Sequence, residues 1–479
     1  MLRSTKIVAT LGPASSDPAV LERMVRAGVD VVRLNFSHGT AEDHLARATL
    51  VKEISRKTGR TVGIMCDLQG PKIRVGKFKD GKVNLQTGQT FILDAGCEQG
   101  DQERSGLDYK ELPRDVAEGA VLLLDDGKIV LDVVKVRGEE VHTIVRHGGV
   151  LSNNKGINRQ GGGLTAPALT PKDIEDIRTA SRLNADYLAV SFPKSGADMY
   201  MAKELMRASG GKAFLIAKIE RAEAVVEPAL KEIMNACDGI MVARGDLAVE
   251  VGDASVPALQ KKMIRMAREL NKLTITATQM MESMIASPVP TRAEVSDVAN
   301  AVLDGTDAVM LSAESASGRY PVEAIEAMDR ICVEAEQSMP LNLERDFLNR
   351  VFTRVDQSIA MAGLFTAFHL KVKAIATLTE SGSTALWMSR LNCGVPIYAL
   401  TSQTATRYRC SLYRDVYPLM VKFVGHDREE LLAEAEKVLV ENNVVAEGDL
   451  IVLTIGEPIG KAGGTNTMKI VKVGEHRKK

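Results

Sequence analysis

Short runs of aliphatic residues recur along the first two thirds of the chain, and most are separated by stretches with a helical apolar period. Each run has the length and the aliphatic content of a strand buried on both faces. The runs occupy residues 6–12, 29–36, 61–68, 185–192, 213–220, 239–246, 273–280 and 308–315. One intervening helical stretch opens with Thr291 and carries Glu294 three residues later, which is a capping box. Strand–helix alternation repeated in this way predicts a (β/α)₈ barrel.

The interval between the third and fourth runs is too long for a single helix, and most of it has no helical period. Its apolar residues alternate instead, and the pairs Asp80-Gly81 and Asp126-Gly127 are typical of hairpin turns. We expect an all-β domain of residues 71–167, which leaves through a polar, glycine-rich stretch suited to a hinge. The barrel would then consist of residues 1–70 and 168–344, close to the usual size of about 250 residues.

The remaining residues, 345–479, form a different pattern. A helical stretch is followed by short aliphatic runs, with a further helix near residues 428–442. This succession predicts a smaller α/β domain of about five strands at the C-terminal end.

Composition and charge narrow the functional classes. Lys plus Arg is 61 and Asp plus Glu is 62, so a nucleic-acid binder with a basic footprint is disfavoured. No apolar run approaches the ~20 residues of a membrane span, and the N-terminus lacks an apolar stretch of signal length. None of the six cysteines lies in a CxxC pair, so we expect reduced thiols in a cytoplasmic protein.

Polar residues cluster at the carboxyl ends of the eight runs, where barrel active sites are built. Residues i and i+2 of a strand share a face, so these side chains are expected to converge. The set comprises Arg33, Asn35, Ser37, Asp67, Ser191, Lys218, Glu220, Arg244, Asp246, Thr276, Thr278 and Glu314. Several charged strand ends pointing to one place predict a functional site.

The residue types in this set suggest its chemistry. Glu220 and Asp246 are hard oxygen ligands without His or Cys nearby, which suits Mg²⁺ or Mn²⁺. Lys218 and Arg33 supply positive charge for an anionic substrate, and Gly245 allows a ligand to approach the backbone closely. A metal with positioned cations serves either phosphoryl transfer or enolate chemistry.

Long motifs make the chain resemble pyruvate kinase over essentially its whole length. They are RLNFSHG (33–39), DLQGPKIR (67–74), LSNNKGIN (151–158), KIE (218–220), MVARGDLAVEVG (241–252), ITATQMMESM (275–284) and the stretch 290–315. The resemblance implies transfer of the phosphoryl group of phosphoenolpyruvate to ADP, followed by protonation of the enolate to pyruvate. It also implies a homotetramer and an inserted domain that closes as a lid over the nucleotide.

The resemblance assigns roles by position. Lys218 would stabilise the transferring phosphoryl group, and Thr278 would lie where the proton is delivered, with the true proton donor left open. Glu220 and Asp246 would hold Mg²⁺. The substrate would be bound by Arg33, Ser191, Gly245, Asp246 and Thr278, and the nucleotide phosphates by Arg74 and Lys155.

One departure concerns the monovalent cation that many members of this family require. They hold K⁺ at positions matching Asn35, Ser37, Asp67 and the backbone of Leu68. Those enzymes carry Thr-Lys directly after the aspartate and Glu at the position of Lys72. Here Leu68, Gln69 and Lys72 occupy these places, so we expect the Lys72 ammonium to replace K⁺ and activity not to require it. A solvated surface charge is the alternative interpretation of Lys72.

The C-terminal domain contains a loop at a predicted helix start that is rich in small hydroxyl residues. It comprises Thr379, Ser381, Gly382, Ser383 and Thr384. Such a loop can bind an anion, and the resemblance implies a phosphorylated sugar as allosteric effector. An ordinary helix cap is the alternative.

Two other functions compete with this interpretation. Metal-dependent aldolases and lyases that handle enolpyruvate use similar barrels, but they lack an inserted lid carrying Arg74 and Lys155. A metabolite sensor without activity would be expected to have lost Lys218 or Glu220, and both are present.

Overall fold

The computed structural model describes residues 2–339, 351–422, 428–458 and 463–475. The chain begins with three strands separated by two helices. The strands are β1 (Lys6–Thr10), β2 (Val31–Asn35) and β3 (Gly63–Asp67), and the helices are α1 (Pro18–Ala27) and α2 (Ala41–Thr58). Asp17 caps α1 through its side chain, and a capping box of Thr40 and Asp43 starts α2. Capped helix starts fix where each helix leaves its strand.

An all-β region follows β3 and has its own hydrophobic core. Its elements are β4 (Lys77–Phe78), β5 (Lys82–Leu85), β6 (Thr90–Asp94), β7 (Gln99–Gly100), β8 (Arg104–Ser105), α3 (Leu112–Asp115), β9 (Val121–Leu124), β10 (Ile129–Arg137), β11 (Glu140–His147), β12 (Gly149–Ser152) and β13 (Ile157–Arg159). The main sheet has the order β13-β9-β10-β11-β6-β8. An inserted all-β unit is therefore confirmed.

The two predicted hairpin turns differ in outcome. Asp126-Gly127 lies in the turn that joins the antiparallel pair β9 and β10, as expected. Asp80-Gly81 also forms a turn, but β4 pairs with β7 and β5 pairs with β12, so no hairpin joins these strands. A turn dipeptide fixes the local reversal of the chain, whereas strand pairing depends on distant partners.

The chain then returns to the barrel. The strands are β14 (Tyr187–Val190), β15 (Phe214–Ile219), β16 (Gly239–Ala243), β17 (Leu273–Ala277) and β18 (Ala308–Leu311). The helices are α4 (Pro171–Leu183), α5 (Gly196–Ala208), α6 (Ala229–Ala236), α7 (Arg244–Val251), α8 (Val256–Glu269), α9 (Arg292–Leu303), α10 (Ala313–Ala316) and α11 (Pro321–Gln337). The capping box of Thr291 and Glu294 starts α9 as predicted.

Eight parallel strands close the barrel in the order β1-β18-β17-β16-β15-β14-β3-β2. The predicted (β/α)₈ architecture is thus confirmed. Its strands are buried almost throughout, which explains why they read as continuous aliphatic runs rather than alternating ones.

The C-terminal α/β domain is also confirmed. Its sheet runs β21-β20-β19-β22-β23, with only β22 and β23 antiparallel. The elements are α12 (Val355–Leu370), β19 (Ala374–Leu378), α13 (Ser383–Ser389), β20 (Ile397–Thr401), α14 (Thr404–Cys410), β21 (Val416–Met420), α15 (Arg428–Glu441), β22 (Leu450–Gly456) and β23 (Thr465–Lys472). The predicted boundary between residues 344 and 345 lies outside the described residues.

This domain covers the end of the barrel where the strands begin. Met65, Tyr187 and Met241 inside the barrel belong to one continuous apolar core with Leu364 and Tyr413 of the C-terminal domain. A buried ion pair between Asp307 and Arg390 crosses the same junction. The opposite end, where the strands finish, is left for chemistry.

Candidate active site

A cleft of about 370 Å³ opens between the carboxyl ends of the barrel strands and the inserted domain. The residues that line it are Arg33, Asn35, Ser37, His38, Gln69, Lys72, Arg74, Asp125, Asp126, Asn154, Lys155, Gly156, Phe192, Lys218, Glu220 and Asp246. Six of the twelve candidate residues at the strand ends therefore line one cavity: Arg33, Asn35, Ser37, Lys218, Glu220 and Asp246. Arg74 and Lys155 face them from the insert.

Asp67 is the electrostatic centre of the barrel side. Its side chain is fully buried at the end of β3, and it meets Arg33 Nε at 2.6 Å and Lys218 Nζ at 3.3 Å. Burial would raise the pKa of Asp67, but Arg33 and Lys218 hold it below its ordinary value. A fixed negative charge thus holds two cations from β2 and β15 side by side.

Lys218 and Glu220 form a second pair at the end of β15. Lys218 Nζ lies 2.9 Å from Glu220 Oε1 and donates a hydrogen bond to Ser191 Oγ at 2.7 Å. Burial would lower the pKa of Lys218, but Asp67 and Glu220 raise it to about 12. Burial raises the pKa of Glu220 to about 7, and the nearby charge of Asp246 acts in the same direction.

The loop after β14 supports this pair. The Ser191 hydroxyl donates to the Leu68 carbonyl at 2.8 Å while accepting from Lys218, so it holds the ammonium in place. The Phe192 backbone N–H donates to Glu220 Oε2 at 2.8 Å, and Phe192 has a positive φ of 56°. Both carboxylate oxygens of Glu220 are thereby located.

A second pair of loops meets behind the cleft. The Gly245 N–H, in the first turn of α7, donates to Thr278 Oγ1 at 2.8 Å, and Thr278 donates to the Ala277 carbonyl at 2.7 Å. Thr278 follows β17 and has a φ of 67°. Gly245 and Thr278 are therefore neighbours, as a shared site requires.

Three residues of the predicted cluster serve other purposes. Strand β16 ends at Ala243, so Arg244 is the first residue of a helix and is buried behind the cleft. Thr276 is buried and donates to Thr306 Oγ1 at 3.1 Å. Glu314 lies in α10 and accepts from the backbone of Met281 and Ser312. The alternation rule failed at Arg244 because the helix begins there.

The two ends of the insert run side by side. An isolated bridge pairs Arg74 with Gly156, next to Lys155, and both charged side chains line the cleft. Lys155 Nζ is paired with Asp125 Oδ1 at 2.7 Å. One basic residue from each end of the insert thus faces the barrel site.

The donor set fits a hard divalent cation. Glu220 Oε1 is buried beside the Lys218 ammonium, and the half-buried carboxylate of Asp246 is close enough to raise the pKa of Glu220. A cation between two such carboxylates would relieve their repulsion. No group of three or more His, Cys, Asp or Glu poised for a metal occurs among residues 2–339, 351–422, 428–458 and 463–475. Other oxygen ligands would therefore come from water or substrate.

Comparison with known proteins agrees with this geometry. A family model described as the pyruvate kinase barrel domain matches residues 2–325, and one described as the pyruvate kinase alpha/beta domain matches residues 357–471. The chain belongs to the pyruvate kinase family. As such it is a glycolytic phosphotransferase that moves the phosphoryl group of phosphoenolpyruvate to ADP, giving pyruvate and ATP. The alternative of an enolpyruvate aldolase or lyase is not favoured.

Individual relatives extend over nearly the whole chain. It is 52% identical to "Pyruvate kinase II" of Salmonella typhimurium over 476 residues, which cover 98% of this chain and 99% of that protein. It is 52% identical to a pyruvate kinase of Haemophilus influenzae over 461 residues, covering 95% and 96% of the two chains. A pyruvate kinase of Sporosarcina psychrophila is 41% identical over 484 residues, which are 99% of this chain and 81% of that one.

The residues predicted to form a monovalent-cation pocket lie at or beside the cleft. Ser37 N–H donates to Asn35 Oδ1 at 3.1 Å, and both residues line the cleft beside the buried Asp67. The Leu68 carbonyl accepts from Ser191. The half-buried Lys72 lines the same cleft, and its Cε atom lies 3.5 Å from where a side chain on Gly156 would begin.

The candidate effector loop lies at the start of α13 in the C-terminal domain. Gly382 adopts a positive φ of 82°, and its N–H donates to Thr379 Oγ1 at 2.9 Å. Ser381 and Ser383 are half-buried and hydrogen-bonded to each other at 3.1 Å. The buried Thr384 hydroxyl is bonded to Thr465 at 2.7 Å. Two serine hydroxyls are thus the more accessible groups.

Sequence reasoning missed several supporting contacts in this pyruvate kinase. The sequence predicts Asp67 as part of a K⁺ pocket, whereas the structure shows it as the partner of both Arg33 and Lys218. The contact of Phe192 N–H with Glu220 has no signal in the sequence beyond a polar strand end followed by Pro193.

All six cysteines are free thiols, and only Cys97 is not buried. Among the described residues, none of the helices has the length and apolar character of a membrane span.

Proposed function

We propose that Lys218, Glu220, Asp246, Arg33 and Thr278 carry the pyruvate kinase reaction in this chain. The observation that supports this most directly is the cluster centred on Asp67, where two cations are fixed at the floor of a cleft. Phosphoryl transfer relies mainly on positioning and on electrostatic stabilisation of spread negative charge. A site that is preorganised in this way needs little rearrangement when charge develops.

Lys218 is the cation proposed to touch the transferring phosphoryl group. Asp67, Glu220 and Ser191 hold its ammonium, and the raised pKa of Lys218 keeps it charged throughout the physiological range. Arg33, held by Asp67 from the neighbouring strand, is proposed to bind the phosphate of phosphoenolpyruvate. The Ser191 hydroxyl would contribute to substrate binding through the position it gives Lys218.

Glu220 and Asp246 are proposed to hold Mg²⁺, or Mn²⁺ in its place. Bound there, the ion would act as a Lewis acid that lowers the energy of the developing enolate. The chain itself prepares the ligands: the Phe192 N–H orients Glu220, and the first turn of α7 presents Asp246 beside Gly245.

Thr278 is proposed to lie where the proton reaches the enolate. Its hydroxyl accepts from Gly245 N–H and donates to a backbone carbonyl, so its position is fixed from two sides. Gly245 would meet the substrate through its backbone, where a side chain would intrude.

Arg74 and Lys155 are proposed to bind the phosphates of ADP, with residues 71–167 acting as the lid. Lys155 would exchange its pairing with Asp125 for the nucleotide. The return segment contains three consecutive glycines with positive φ, and the Gly163 N–H donates to the Glu223 carboxylate of the barrel. This contact anchors the hinge close to Glu220, so that lid closure excludes water from the site.

Activity is proposed not to require K⁺. The observation behind this is the half-buried Lys72 that lines the cleft next to Asn35 and Ser37. A fixed ammonium group can supply the positive charge that K⁺ brings in other members of the family.

The loop of Thr379, Ser381, Gly382, Ser383 and Thr384 is proposed to bind a phosphorylated sugar that activates the enzyme. Ser383→Asp places a like charge where the phosphate would bind, so it should abolish activation by a sugar monophosphate or bisphosphate and leave basal turnover intact. Full activation of this variant by either compound would refute the proposal.

A homotetramer in the cytoplasm is the proposed assembly and location, to be tested by sedimentation and cell fractionation.

The activity itself is tested by a coupled assay of pyruvate formation from phosphoenolpyruvate, ADP and Mg²⁺. Lys218→Met should abolish turnover while the protein stays folded. The matched control is Lys52→Met, because Lys52 is also partly buried and bonds the Leu183 carbonyl at 2.8 Å, away from the cleft. The assigned role of Lys218 is wrong if its methionine variant turns over normally.

A further inference from the structure

Arg244 is buried directly behind the candidate active site, where it holds a strained loop. It is the first residue of α7, just before Gly245 and Asp246. Its Nη2 donates to the Thr278 carbonyl at 2.8 Å, and its Nε donates to the Ala277 carbonyl at 3.3 Å. One guanidinium group therefore satisfies two successive carbonyls at the end of β17.

The loop that Arg244 holds has an uncommon backbone. Thr278 and Gln279 have φ values of 67° and 53°, in the left-handed region that residues with a side chain seldom occupy. For a β-branched residue such as Thr278 this conformation is especially unfavourable, and it persists only where the surroundings enforce it. The two carbonyls that Arg244 holds, those of Ala277 and Thr278, lie on either side of the Thr278 Cα and supply that constraint.

The guanidinium group is itself fixed from a third element. Asp297, on α9, lies 2.7 Å from Arg244 Nη1, and the carboxylate is 38% exposed. Arg244 therefore links α7, the end of β17 and α9. Because the Gly245 N–H also donates to Thr278 Oγ1, the same turn locates both the backbone and the hydroxyl of Thr278.

We propose that Arg244 is a positioning residue, which acts on the reaction by setting the Thr278 hydroxyl for proton delivery. This inference rests on the role proposed above for Thr278. Arg244 touches neither substrate nor metal. Its guanidinium gives Thr278 a conformation that the residue would otherwise leave, and the hydroxyl would turn away from the enolate carbon.

The test compares two partial reactions in Arg244→Gln, Thr278→Ala and the double variant. ATP formation reports phosphoryl transfer. Exchange of the pyruvate methyl protons with D₂O, followed by NMR, reports proton transfer. We expect Arg244→Gln to slow exchange at least tenfold more than ATP formation, as Thr278→Ala should. The double variant should be no slower in exchange than Thr278→Ala, because residues that act through one group are not additive.

Two further variants keep the outcome decisive. Arg3→Gln removes another buried arginine, which bonds Asp30 at 2.9 Å at the opposite end of the barrel, and it should leave the ratio of the two rates unchanged. Asp297→Asn should change the ratio of exchange to ATP formation in the same direction but less, about threefold. It replaces Arg244→Gln as the test if that variant does not fold. Arg244→Lys, which keeps the charge, should recover part of the exchange rate.

The outcomes separate this proposal from the one it rests on. Normal exchange in Thr278→Ala would overturn the role of Thr278, and that of Arg244 with it. A slow Thr278→Ala combined with an additive double variant would overturn only the positioning role. The same follows if Arg244→Gln, or Asp297→Asn in its place, lowers both rates equally.

Discussion

Replacing Asp67 with asparagine removes one negative charge from the floor of the cleft and changes almost nothing in shape. The carboxylate is completely buried and meets Arg33 at 2.6 Å and Lys218 at 3.3 Å. At an effective dielectric constant of about 20, unit charges 3.3 Å apart interact by about 5 kcal/mol. Arg33 adds a comparable interaction, and much of the combined energy is offset, because Lys218 keeps Glu220 at 2.9 Å and water can enter the cleft.

A net loss of about 3–5 kcal/mol of stability is expected, as for other buried pairs that lose one partner. The catalytic loss comes from the two cations, which no longer have a common anchor. If the transition state loses about 3 kcal/mol of that stabilisation, kcat/KM for phosphoenolpyruvate falls roughly 100-fold. Coupled assays give kcat/KM, and urea unfolding gives the stability and the folded fraction.

Asp307→Asn is the matched control. Asp307 is equally buried and pairs with Arg390 at the closed end of the barrel. It should lose comparable stability, but its kcat/KM per folded molecule should stay within about threefold, since no catalytic group lies nearby. The reasoning is refuted if Asp67→Asn loses stability and retains a kcat/KM within threefold of the parent.

Three further predictions follow from other contacts. Lys72→Glu should make activity depend on K⁺, with at least a tenfold rise when K⁺ replaces a tetraalkylammonium salt; an unchanged ratio contradicts the assigned role. Glu223→Gln weakens the contact with the Gly163 N–H at the hinge. The KM for ADP should therefore rise several-fold in steady-state assays, while the variant stays folded. Equal KM values count against a lid anchor. Burial raises the pKa of Asp186 to about 7. The protonated side chain therefore contributes stability that is fully present below about pH 4 and is lost as the pH rises through 7. Asp186→Asn should therefore gain stability relative to the parent between pH 5 and pH 7.5, by at most about 1.4 kcal/mol per pH unit in urea unfolding; a constant difference rules this out.

Much of the fold could be predicted because it depends on local patterns of residue type along the chain. Strands covered on both faces must be aliphatic throughout, and this made the eight barrel strands and their carboxyl ends visible in the sequence. The motifs of the pyruvate kinase family then identified the activity. The capping box at Thr291 and Glu294 is another local signal that the structure reproduces.

The predictions from the sequence were wrong in two places. From its position after β16, Arg244 would be the next strand residue and point into the cleft. A helix begins there instead, and it turns the Arg244 side chain away from the cleft. At Asp80-Gly81 the turn was correct and the strand pairing was not. Both outcomes depend on partners far away in the chain, which a local pattern does not contain.

The barrel, the inserted β unit, the C-terminal α/β domain and the family could all be predicted from the sequence, because each rests on periodicity or on contiguous motifs. Which charged side chains meet follows only from the packing of the strands around the barrel. Arg33 and Lys218 are 185 residues apart in the chain, and both lie within 3.3 Å of the Asp67 carboxylate only once the barrel has closed. Electrostatic interactions depend on distance and burial, and those quantities exist only in the folded chain.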